Sequence, residues 1–371
     1  MSSVRVDVVV VGAGLAGAAA AWELTNRGHS VVIVEQFDVG HAEGSSHGTS
    51  RIYRRAYLDP FYIRLTGRAD REWDLLEDQA GVRLRTRTGG LDAGRQRHPA
   101  ELVGLLRQEG VAAELLSGEE IAERWPGIDL GEPAVFHPQA GYLDAGATVR
   151  TLVELAVAGG AVLAEHSSVE RLAPSGDGVA VHTADRSWAA GTVVVAAGAW
   201  LPSLMDRLPA PVAIPKLTVK QQEVFHLPRR ADVGDPAATW PTLVYKDEVE
   251  LYALTSGADG GQHPAYKIGQ FDSVSDTTVH DRDKIIDPAA RAVCLDFAWR
   301  YLPGLEREPS NEQSCLFTMT ADEDFVIDRI GPIVVASPCS GHGAKFAPLT
   351  GVLIADLVEG GPAVPRFAFR T

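Results

Sequence analysis

The feature that most constrains this sequence is a strand, a glycine turn and a helix close to its first residue. Residues 6–24 read VDVVVVGAGLAGAAAAWEL, and the apolar run at 8–11 predicts a strand buried on both faces of a parallel sheet. Gly12, Gly14 and Gly17 follow directly in a GxGxxG pattern. Gly12 allows a sharp turn, Gly14 lets backbone N–H groups approach a pyrophosphate, and Gly17 lets the helix pack closely on the strand. The start of the helix adds a positive potential that favours an anion.

A second predicted strand completes the pattern. The apolar segment 30–34 ends in Glu35, where an acidic side chain would bind a ribose hydroxyl. The alternative is a glycine-rich connection between strand and helix that binds no ligand. The spacing of motif, second strand and acidic residue favours a site for an adenine dinucleotide.

The charge and the apolar segments exclude several kinds of partner. The chain of 371 residues has 34 Lys and Arg against 49 Asp and Glu, for a net charge of −15, and it has no basic tail. This balance argues against nucleic acid or an anionic membrane surface as a partner. The apolar run at 8–22 is too short to span a bilayer and is interrupted by glycines, so we expect no membrane association and a cytoplasmic protein.

The three cysteines, Cys294, Cys315 and Cys339, form no disulfide framework and no zinc-binding spacing, so no metal site is predicted. Cys294 lies in a helical pattern at 288–301 and is expected to be a small buried apolar residue.

The order of predicted elements gives an α/β fold with a discontinuous Rossmann-type domain and an inserted, mostly antiparallel β domain. Buried strands and helices dominate both ends of the sequence, whereas alternating strands follow one another from about residue 211. We assign residues 1–90, 145–210 and 318–371 to the dinucleotide-binding domain. Residues 91–144 and 211–317 are assigned to the second domain.

Several longer stretches resemble a known family. The opening motif and VVVAAGAW at 193–200 resemble amino-acid oxidase flavoproteins in general. Three further stretches, GSSHGTSRIYRRAY, SCLFTMTADEDFVIDR and CSGHGAKFAP, together with AYKIG, resemble the family of monomeric sarcosine oxidase and N-methyltryptophan oxidase. The resemblance covers essentially the whole chain in the same order. It implies that the dinucleotide is FAD and that the inserted domain binds the substrate.

The resemblance also implies that a cysteine holds the flavin covalently through a thioether. The matching position is Cys315, in the stretch CLFTMT. Cys339 is the alternative attachment point. If it does not bind the flavin, we expect it to be a buried thiol without a role in attachment.

Site roles carry over at individual positions. Arg54 and Lys345 match the residues that bind the substrate carboxylate, for which a guanidinium and an ammonium are well suited. Arg51, Tyr252 and Lys267 match catalytic positions: Arg51 beside the flavin, Tyr252 in the pocket and Lys267 where a lysine promotes the reaction with O₂. The stretch SGADGGQHP between the last two is longer than the family pattern. The alternatives are a solvated basic edge for the arginines and a sheet-edge lysine for Lys267.

Many of the residues predicted to contact the cofactor are glycines, and the others are mainly polar or charged. They are Gly12, Gly14, Gly17, Glu35, Ser45, His47, Arg51, Val169, Gly198, Cys315, Gly341, Gly343 and Lys345.

Two aromatic residues depart from the sarcosine-oxidising pattern. Phe317 stands where that pattern has tyrosine, and Phe271 stands where it has histidine. Both changes remove a polar group from the predicted substrate pocket and leave an aromatic wall. A larger or more apolar secondary amino acid, N-methylated or cyclic, is therefore expected as substrate.

The resulting hypothesis is a monomeric, FAD-dependent oxidase of a secondary amino acid. It would oxidise the carbon next to nitrogen to an imine and reduce O₂ to H₂O₂. The alternatives are an FAD-dependent dehydrogenase that passes electrons to a carrier and, from a different class, a redox-silent flavin-binding protein.

Overall fold

Two large β-sheets, one mostly parallel and one mostly antiparallel, dominate the fold. The computed structural model describes residues 4–208, 212–235, 238–261, 263–271 and 275–369. The first sheet carries helices and the predicted glycine turn, while the second covers the opening of that turn. The predicted α/β class is therefore confirmed.

The first sheet has the path β10-β11-β12-β1-β2-β9, with β20 and β19 joined to β12. Its strands are β1 (Val4–Val11), β2 (Val31–Val34), β9 (Val162–Ala164), β10 (Arg171–Ser175), β11 (Gly178–His182), β12 (Ser187–Val195), β19 (Val326–Ile330) and β20 (Ile333–Ser337).

Parallel pairing brings the ends of four strands to one edge. β1 pairs in parallel with β2 and β12, β2 with β9, and β12 with β20. The four residues from Val8 to Val11 are buried, as their continuous apolar character predicts. Because the carboxyl ends of parallel strands face the same way, the loops after β1, β2, β12 and β20 meet there.

The second sheet has the path β17-β13-β16-β15-β14-β5-β7-β6, with β18 paired to β13. Its strands are β5 (Gly90–Ala93), β6 (Glu114–Leu116), β7 (Ala134–His137), β13 (Thr218–Pro228), β14 (Thr242–Lys246), β15 (Glu250–Thr255), β16 (Ala265–Gln270), β17 (Ser275–Thr277) and β18 (Asn311–Met319). The predicted antiparallel pairing of its central strands is confirmed.

A small third sheet corrects one prediction. The sequence suggests a single strand at 86–93, but the chain forms β4 (Arg85–Arg87) and then β5 in a different sheet. Gly89 lies between them with a φ of +76°, a left-handed conformation that turns the chain. β4 and β3 (Arg51–Tyr53) both pair with β8 (Gly141–Leu143).

Eight helices pack around the sheets in the described residues. They are α1 (Leu15–Asn26), α2 (Pro60–Ala80), α3 (Pro99–Gln108), α4 (Gly118–Arg124), α5 (Ala145–Ala158), α6 (Leu201–Met205), α7 (Pro288–Tyr301) and α8 (Ala347–Val358). The helix pattern at Ser117 and Glu120 is a complete capping box, as the sequence predicts.

The assignment of segments to two domains stays a prediction. The boundary at 210/211 lies outside the described residues. The boundary at 317/318 falls inside β18, which runs on to Met319.

Candidate active site

A large cavity lies between the two sheets. Its volume is about 590 Å³, and residues at the carboxyl ends of β1, β2, β12 and β20 line one side. Residues of β15, β16 and β18 line the opposite side. Open α/β sheets bind ligands at this edge, so the cavity is the candidate site.

The glycine motif lies at one end of the cavity. Two of its positions have no room for a side chain. Gly12 has a φ of +100°, and a Cβ at this position would lie 2.6 Å from the carbonyl oxygen of Ala196. A Cβ at Gly17 would lie 1.9 Å from the carbonyl oxygen of Gly12. Gly17 thus lets α1 approach the turn, whereas Gly12 and Gly14 line the cavity itself. The Leu15 N–H at the start of α1 donates to Ser46 Oγ at 3.1 Å, while the turn at Gly12 and Gly14 faces the cavity.

Glu35 lies where the dinucleotide pattern requires an acidic group. Its side chain is buried, yet it lines the cavity directly after β2. Oε2 accepts a hydrogen bond from the N–H of Ala13 at 2.7 Å, and Oε1 accepts one from the N–H of Phe37 at 3.0 Å. These bonds fix the carboxylate beside the glycine turn, so the two parts of the motif meet in space as the sequence predicts.

The loop at 44–50 supplies a polar group without a partner. The Ser45 hydroxyl donates to the carbonyl oxygen of Leu316, which joins the loop to β18. Burial, with the nearby charge of Arg51, lowers the pKa of His47 to about 4. His47 Nε2 is buried and has no hydrogen-bond partner among the described residues. A buried unpaired nitrogen in the cavity wall fits a bound polar group such as a dinucleotide.

Two cations share one acceptor on the cavity wall. Lys267 Nζ donates to the carbonyl oxygen of Ser50 at 2.7 Å, and Arg51 Nη1 donates to the same oxygen at 3.0 Å. Lys267 is 2% exposed and lies on β16. Burial first, and then the charge of Arg51, lower the pKa of Lys267 to about 7. A lysine at an exposed sheet edge would not be buried, so that alternative is wrong for Lys267.

Both candidate thiols line the cavity, but their surroundings differ. Burial raises the pKa of Cys315, while Arg51, Lys267 and Arg282 act in the opposite direction. Burial raises the pKa of Cys339 to about 11, and only the nearby Ser337 side chain opposes the shift. Nearby cations stabilise a thiolate, which is the reactive form. The electrostatics therefore favour Cys315 over Cys339 as a nucleophile.

Arg54 and Lys345 lie against the same aromatic ring. Arg54 Cζ is 4.8 Å and Lys345 Nζ 5.7 Å from the centre of the Tyr57 ring. Arg54 Nη1 is buried and has no hydrogen-bond partner among the described residues. Burial, reinforced by the charge of Arg54, lowers the pKa of Lys345 well below its ordinary value. Two basic side chains therefore lie together, and a bound carboxylate would favour the charged form of Lys345.

Tyr57 and His342, both half-buried, form a hydrogen-bonded chain. His342 Nε2 lies 2.9 Å from the carbonyl oxygen of Glu323, which can only accept, so this nitrogen carries the proton. Nδ1 then accepts from the Tyr57 hydroxyl at 3.1 Å. Burial lowers the pKa of His342 to about 3, so the ring is neutral near pH 7. This chain fixes the Tyr57 ring, against which Arg54 and Lys345 both lie.

A buried carboxylate lies beside Arg54. Asp92 Oδ1 is 3.6 Å from Arg54 Nη1 and 2.6 Å from Arg97 Nη2, and its side chain is 2% exposed. One carboxylate thus faces two guanidinium groups, which leaves one positive charge in excess. A substrate carboxylate would balance that charge.

Phe271 and Phe317 form one wall of the cavity. Their ring centres are 6.3 Å apart, and a Cβ at Gly341 would lie 2.5 Å from Phe271 and 3.2 Å from Phe317. Lys246 Nζ lies 5.0 Å from the centre of the Phe271 ring and forms an ion pair with Glu250 at 2.6 Å. The predicted aromatic wall is present, and an ion pair lies at its edge.

The remaining predicted residues also line the cavity. They are Ser45, Val169, Gly198, Tyr252, Gly341 and Gly343. Of the predicted site residues, only Gly17 stands behind the cavity wall.

Sequence reasoning missed Tyr57, Asp92, Arg97 and His342. Tyr57 and His342 lie in RRAY and CSGHG, beside the cations that carry the family resemblance. Asp92 and Arg97 lie outside the stretches that resemble the family, and only their burial in the fold marks them.

Among the described residues, no helix is long and apolar enough to cross a bilayer. The same part of the chain has no cluster of three His, Cys, Asp or Glu side chains placed to hold a metal ion.

Comparisons with known proteins agree with this geometry. Residues 7–357 match the model of a family described as FAD dependent oxidoreductase. A monomeric sarcosine oxidase from Streptomyces avermitilis is 33% identical over 369 residues, covering 95% of this chain and 93% of the relative. An N-methyl-L-tryptophan oxidase from Yersinia pestis is 28% identical over 379 residues and covers 96% of both chains.

Solved structures share the fold over nearly the full length. NikD, described as an unusual amino acid oxidase essential for nikkomycin biosynthesis, superposes with a TM-score of 0.87 at 24% identity, covering 99% of this chain and 98% of that one. The L-proline dehydrogenase from P. horikoshii superposes with a TM-score of 0.83 at 21% identity, covering 98% and 96%. At these identities the likeness establishes the fold.

Proposed function

The chain belongs to the FAD-dependent oxidoreductases of the sarcosine oxidase type, and we propose that it is an oxidase of a secondary amino acid. The substrate would be an N-methyl or cyclic amino acid with a free carboxylate. It would lose two electrons and two protons to become an imine, and O₂ would take them up to give H₂O₂. Water would then hydrolyse the imine.

The observation that carries this proposal is the distribution of charge around one cavity. Arg54 and Lys345 lie against Tyr57 at one place, while Arg51 and Lys267 share the Ser50 carbonyl at another. The first pair suits a carboxylate, and the second suits the negative charge that develops on O₂ as it is reduced.

The residues that fit FAD are those at the inner end of the cavity. Gly12 and Gly14 leave the backbone open for the pyrophosphate, and the carboxylate of Glu35 is placed for a ribose. FAD, when bound, would accept a hydride equivalent from the carbon next to the substrate nitrogen and would deliver the two electrons to the oxidant. We propose Cys315 as its covalent attachment point because Arg51, Lys267 and Arg282 favour the thiolate there.

The substrate end of the cavity orients the amine. Arg54 and Lys345 would hold the carboxylate, and the substituent on nitrogen or the ring would lie along Phe271 and Phe317. The amine must be neutral to be oxidised. Nearby positive charge and burial both disfavour an ammonium, so the site itself promotes loss of the proton without a dedicated base.

A screen of the purified protein tests the proposal. We would measure O₂ uptake and H₂O₂ formation with N-methyl and cyclic secondary amino acids, and with the methyl ester of each active compound. Oxidation of the free acids, with little oxidation of the esters, supports the proposal. Oxidation that needs an added electron acceptor in place of O₂ would instead support the dehydrogenase.

We propose that the enzyme acts as a monomer. Relatives named monomeric sarcosine oxidase support this. Light scattering coupled to size-exclusion chromatography measures the mass directly. The cytoplasmic location stays a prediction.

A further inference from the structure

The stretch SGADGGQHP, which is longer than the family pattern, delivers a carboxylate to the buried lysine. Asp259 Oδ2 lies 3.8 Å from Lys267 Nζ, and the two side chains are 11% and 2% exposed. Both groups are therefore shielded from water, which strengthens their interaction relative to that of a surface pair.

The position of Asp259 is fixed by Thr49, at the end of the cavity loop. Asp259 Oδ1 accepts from the Thr49 hydroxyl at 2.6 Å, and Oδ2 accepts from the Thr49 N–H at 3.2 Å. The N–H of Asp259 donates to Thr49 Oγ1 at 3.2 Å. Three bonds between the same two residues leave the carboxylate little freedom to move.

The backbone around Asp259 is shaped for this contact. A Cβ at Gly257 would lie 2.0 Å from Thr49 Oγ1, so glycine is required for the segment to approach the loop. On the other side, the Asn311 amide donates to the carbonyl oxygen of Asp259 at 2.8 Å. Contacts with Thr49 on one side and Asn311 on the other therefore hold this segment in place. They keep the Asp259 carboxylate close to Lys267.

We propose that Asp259 is the counter-ion of Lys267, a positioning residue that keeps Nζ charged and thereby sets the pH range in which the enzyme reacts with O₂. This inference rests on the proposed oxygen role of Lys267.

The groups around Lys267 have opposite effects on its charge. Arg51 on β3 disfavours its charge, while Asp259 and Asp144 before α5 favour it. Cys315 on β18 also faces Lys267, but it carries no charge once its sulfur is joined to the flavin. His226, the cross-strand neighbour of Lys267 on β13, has its pKa lowered to about 4 by burial and by Lys267, so it is neutral near pH 7. Asp144 already caps α5 through the N–H of Ala147 at 2.7 Å.

The balance matters because the pKa of Lys267 is about 7. An opposite charge at this distance shifts a pKa by about 1–3 units. Without Asp259, Lys267 would be mostly neutral at pH 7. The positive charge proposed to promote the reaction with O₂ would then be missing.

The test compares Asp259→Asn, Asp259→Glu and the wild-type holoenzyme. Asparagine keeps the shape and removes the charge, so the pH above which flavin reoxidation by O₂ slows should fall by about one unit or more. At a pH one unit above the wild-type midpoint, reoxidation should be about tenfold slower than in the wild type, and it should recover at lower pH. Asp259→Glu, which restores the carboxylate, should return the midpoint towards that of the wild type. Asp296→Asn, an exposed position on α7, is the matched control and should not change it.

A second readout does not depend on turnover. The chain has six lysines, so ¹³Cε-lysine labelling gives six signals, and Lys267→Met identifies the one of interest. Its titration midpoint should fall in Asp259→Asn. An unchanged midpoint and an unchanged pH profile would overturn the inference.

The two readouts separate this inference from the proposed function. If Lys267→Met reoxidises at the wild-type rate, the oxygen role is wrong, whereas the NMR midpoint still reports whether Asp259 is the counter-ion.

Discussion

Lys267 and Arg51 are held side by side by one oxygen, since both donate to the carbonyl of Ser50, at 2.7 and 3.0 Å. Two like charges in a buried site repel each other, and the pKa of Lys267, about 7, reflects burial and that repulsion. A site with excess positive charge stabilises negative charge that develops within it. This pair is the basis of the proposed reaction with O₂.

Lys267→Met removes the cation and keeps the approximate length of the side chain. Reoxidation of the reduced flavin by O₂ should slow by orders of magnitude, because no fixed cation stabilises developing superoxide. Stopped-flow absorbance separates this step from anaerobic reduction by substrate, which should change much less. Equal losses in both steps would show that Lys267 only supports the structure of the pocket.

Wild-type reoxidation should depend on pH with a definite sign. Lys267 is charged below its pKa of about 7 and neutral above it, so the rate should fall as pH rises through this value. Rates measured from pH 6 to 9 check this expectation. In Lys267→Met the decline should be absent, and its persistence would assign the titration to another group.

Cys315→Ser should release the flavin from denatured protein. Acid-precipitated wild type is expected to stay yellow and to carry one flavin mass by mass spectrometry, because three nearby cations offset part of the burial that raises the pKa of Cys315. Cys339→Ser is the matched control, since this thiol also lines the cavity. A yellow precipitate from Cys315→Ser and a colourless one from Cys339→Ser would reverse the assignment.

Arg54→Lys should weaken substrate binding. Lysine keeps the charge but loses the planar pair of donors that suits a carboxylate. One charge-assisted hydrogen bond contributes about 1.5–3 kcal/mol, so the dissociation constant should rise roughly ten- to a hundredfold. Substrate titrations of anaerobic flavin reduction measure it. Arg64→Lys, at a side chain that is 61% exposed, is the control and should bind normally. Normal binding by Arg54→Lys would place the carboxylate elsewhere.

The aromatic wall predicts the order of substrates. With Phe271 and Phe317 in place, N-methyltryptophan, proline or pipecolate should exceed sarcosine in kcat/KM, because a larger apolar group covers both rings. The double change Phe271→His and Phe317→Tyr should shift the preference towards sarcosine. If sarcosine is already the best substrate of the wild type, the interpretation of these two residues is wrong.

Local patterns explain why much of the fold was predictable. Gly12, Gly14 and Glu35 depend on a short strand–turn–helix–strand unit, whose geometry is set by neighbouring residues. Helix α7 has the bounds that the helical pattern at 288–301 predicts, and it begins with a proline, a residue suited to the first turn of a helix.

The partners of the cations could not be predicted in this way. Thr49 and Asp259 are separated by 210 positions, and Ser50 and Lys267 by 217, so only the register of the assembled sheets brings them together. The same holds for Asp92, which reaches Arg54 from a strand of the second sheet. A charged residue is recognisable in a sequence, but its burial and its counter-ion are properties of the fold.

The most direct test of the central claim is a single cycle of flavin reduction and reoxidation. The holoenzyme is mixed anaerobically with an N-methyl or cyclic amino acid, its absorbance is followed, and air-saturated buffer is then added. We predict that the substrate bleaches the flavin and that O₂ alone restores it, with one H₂O₂ formed per flavin. A flavin that is bleached but restored only by an added electron acceptor, or one that no secondary amino acid bleaches, would contradict the account.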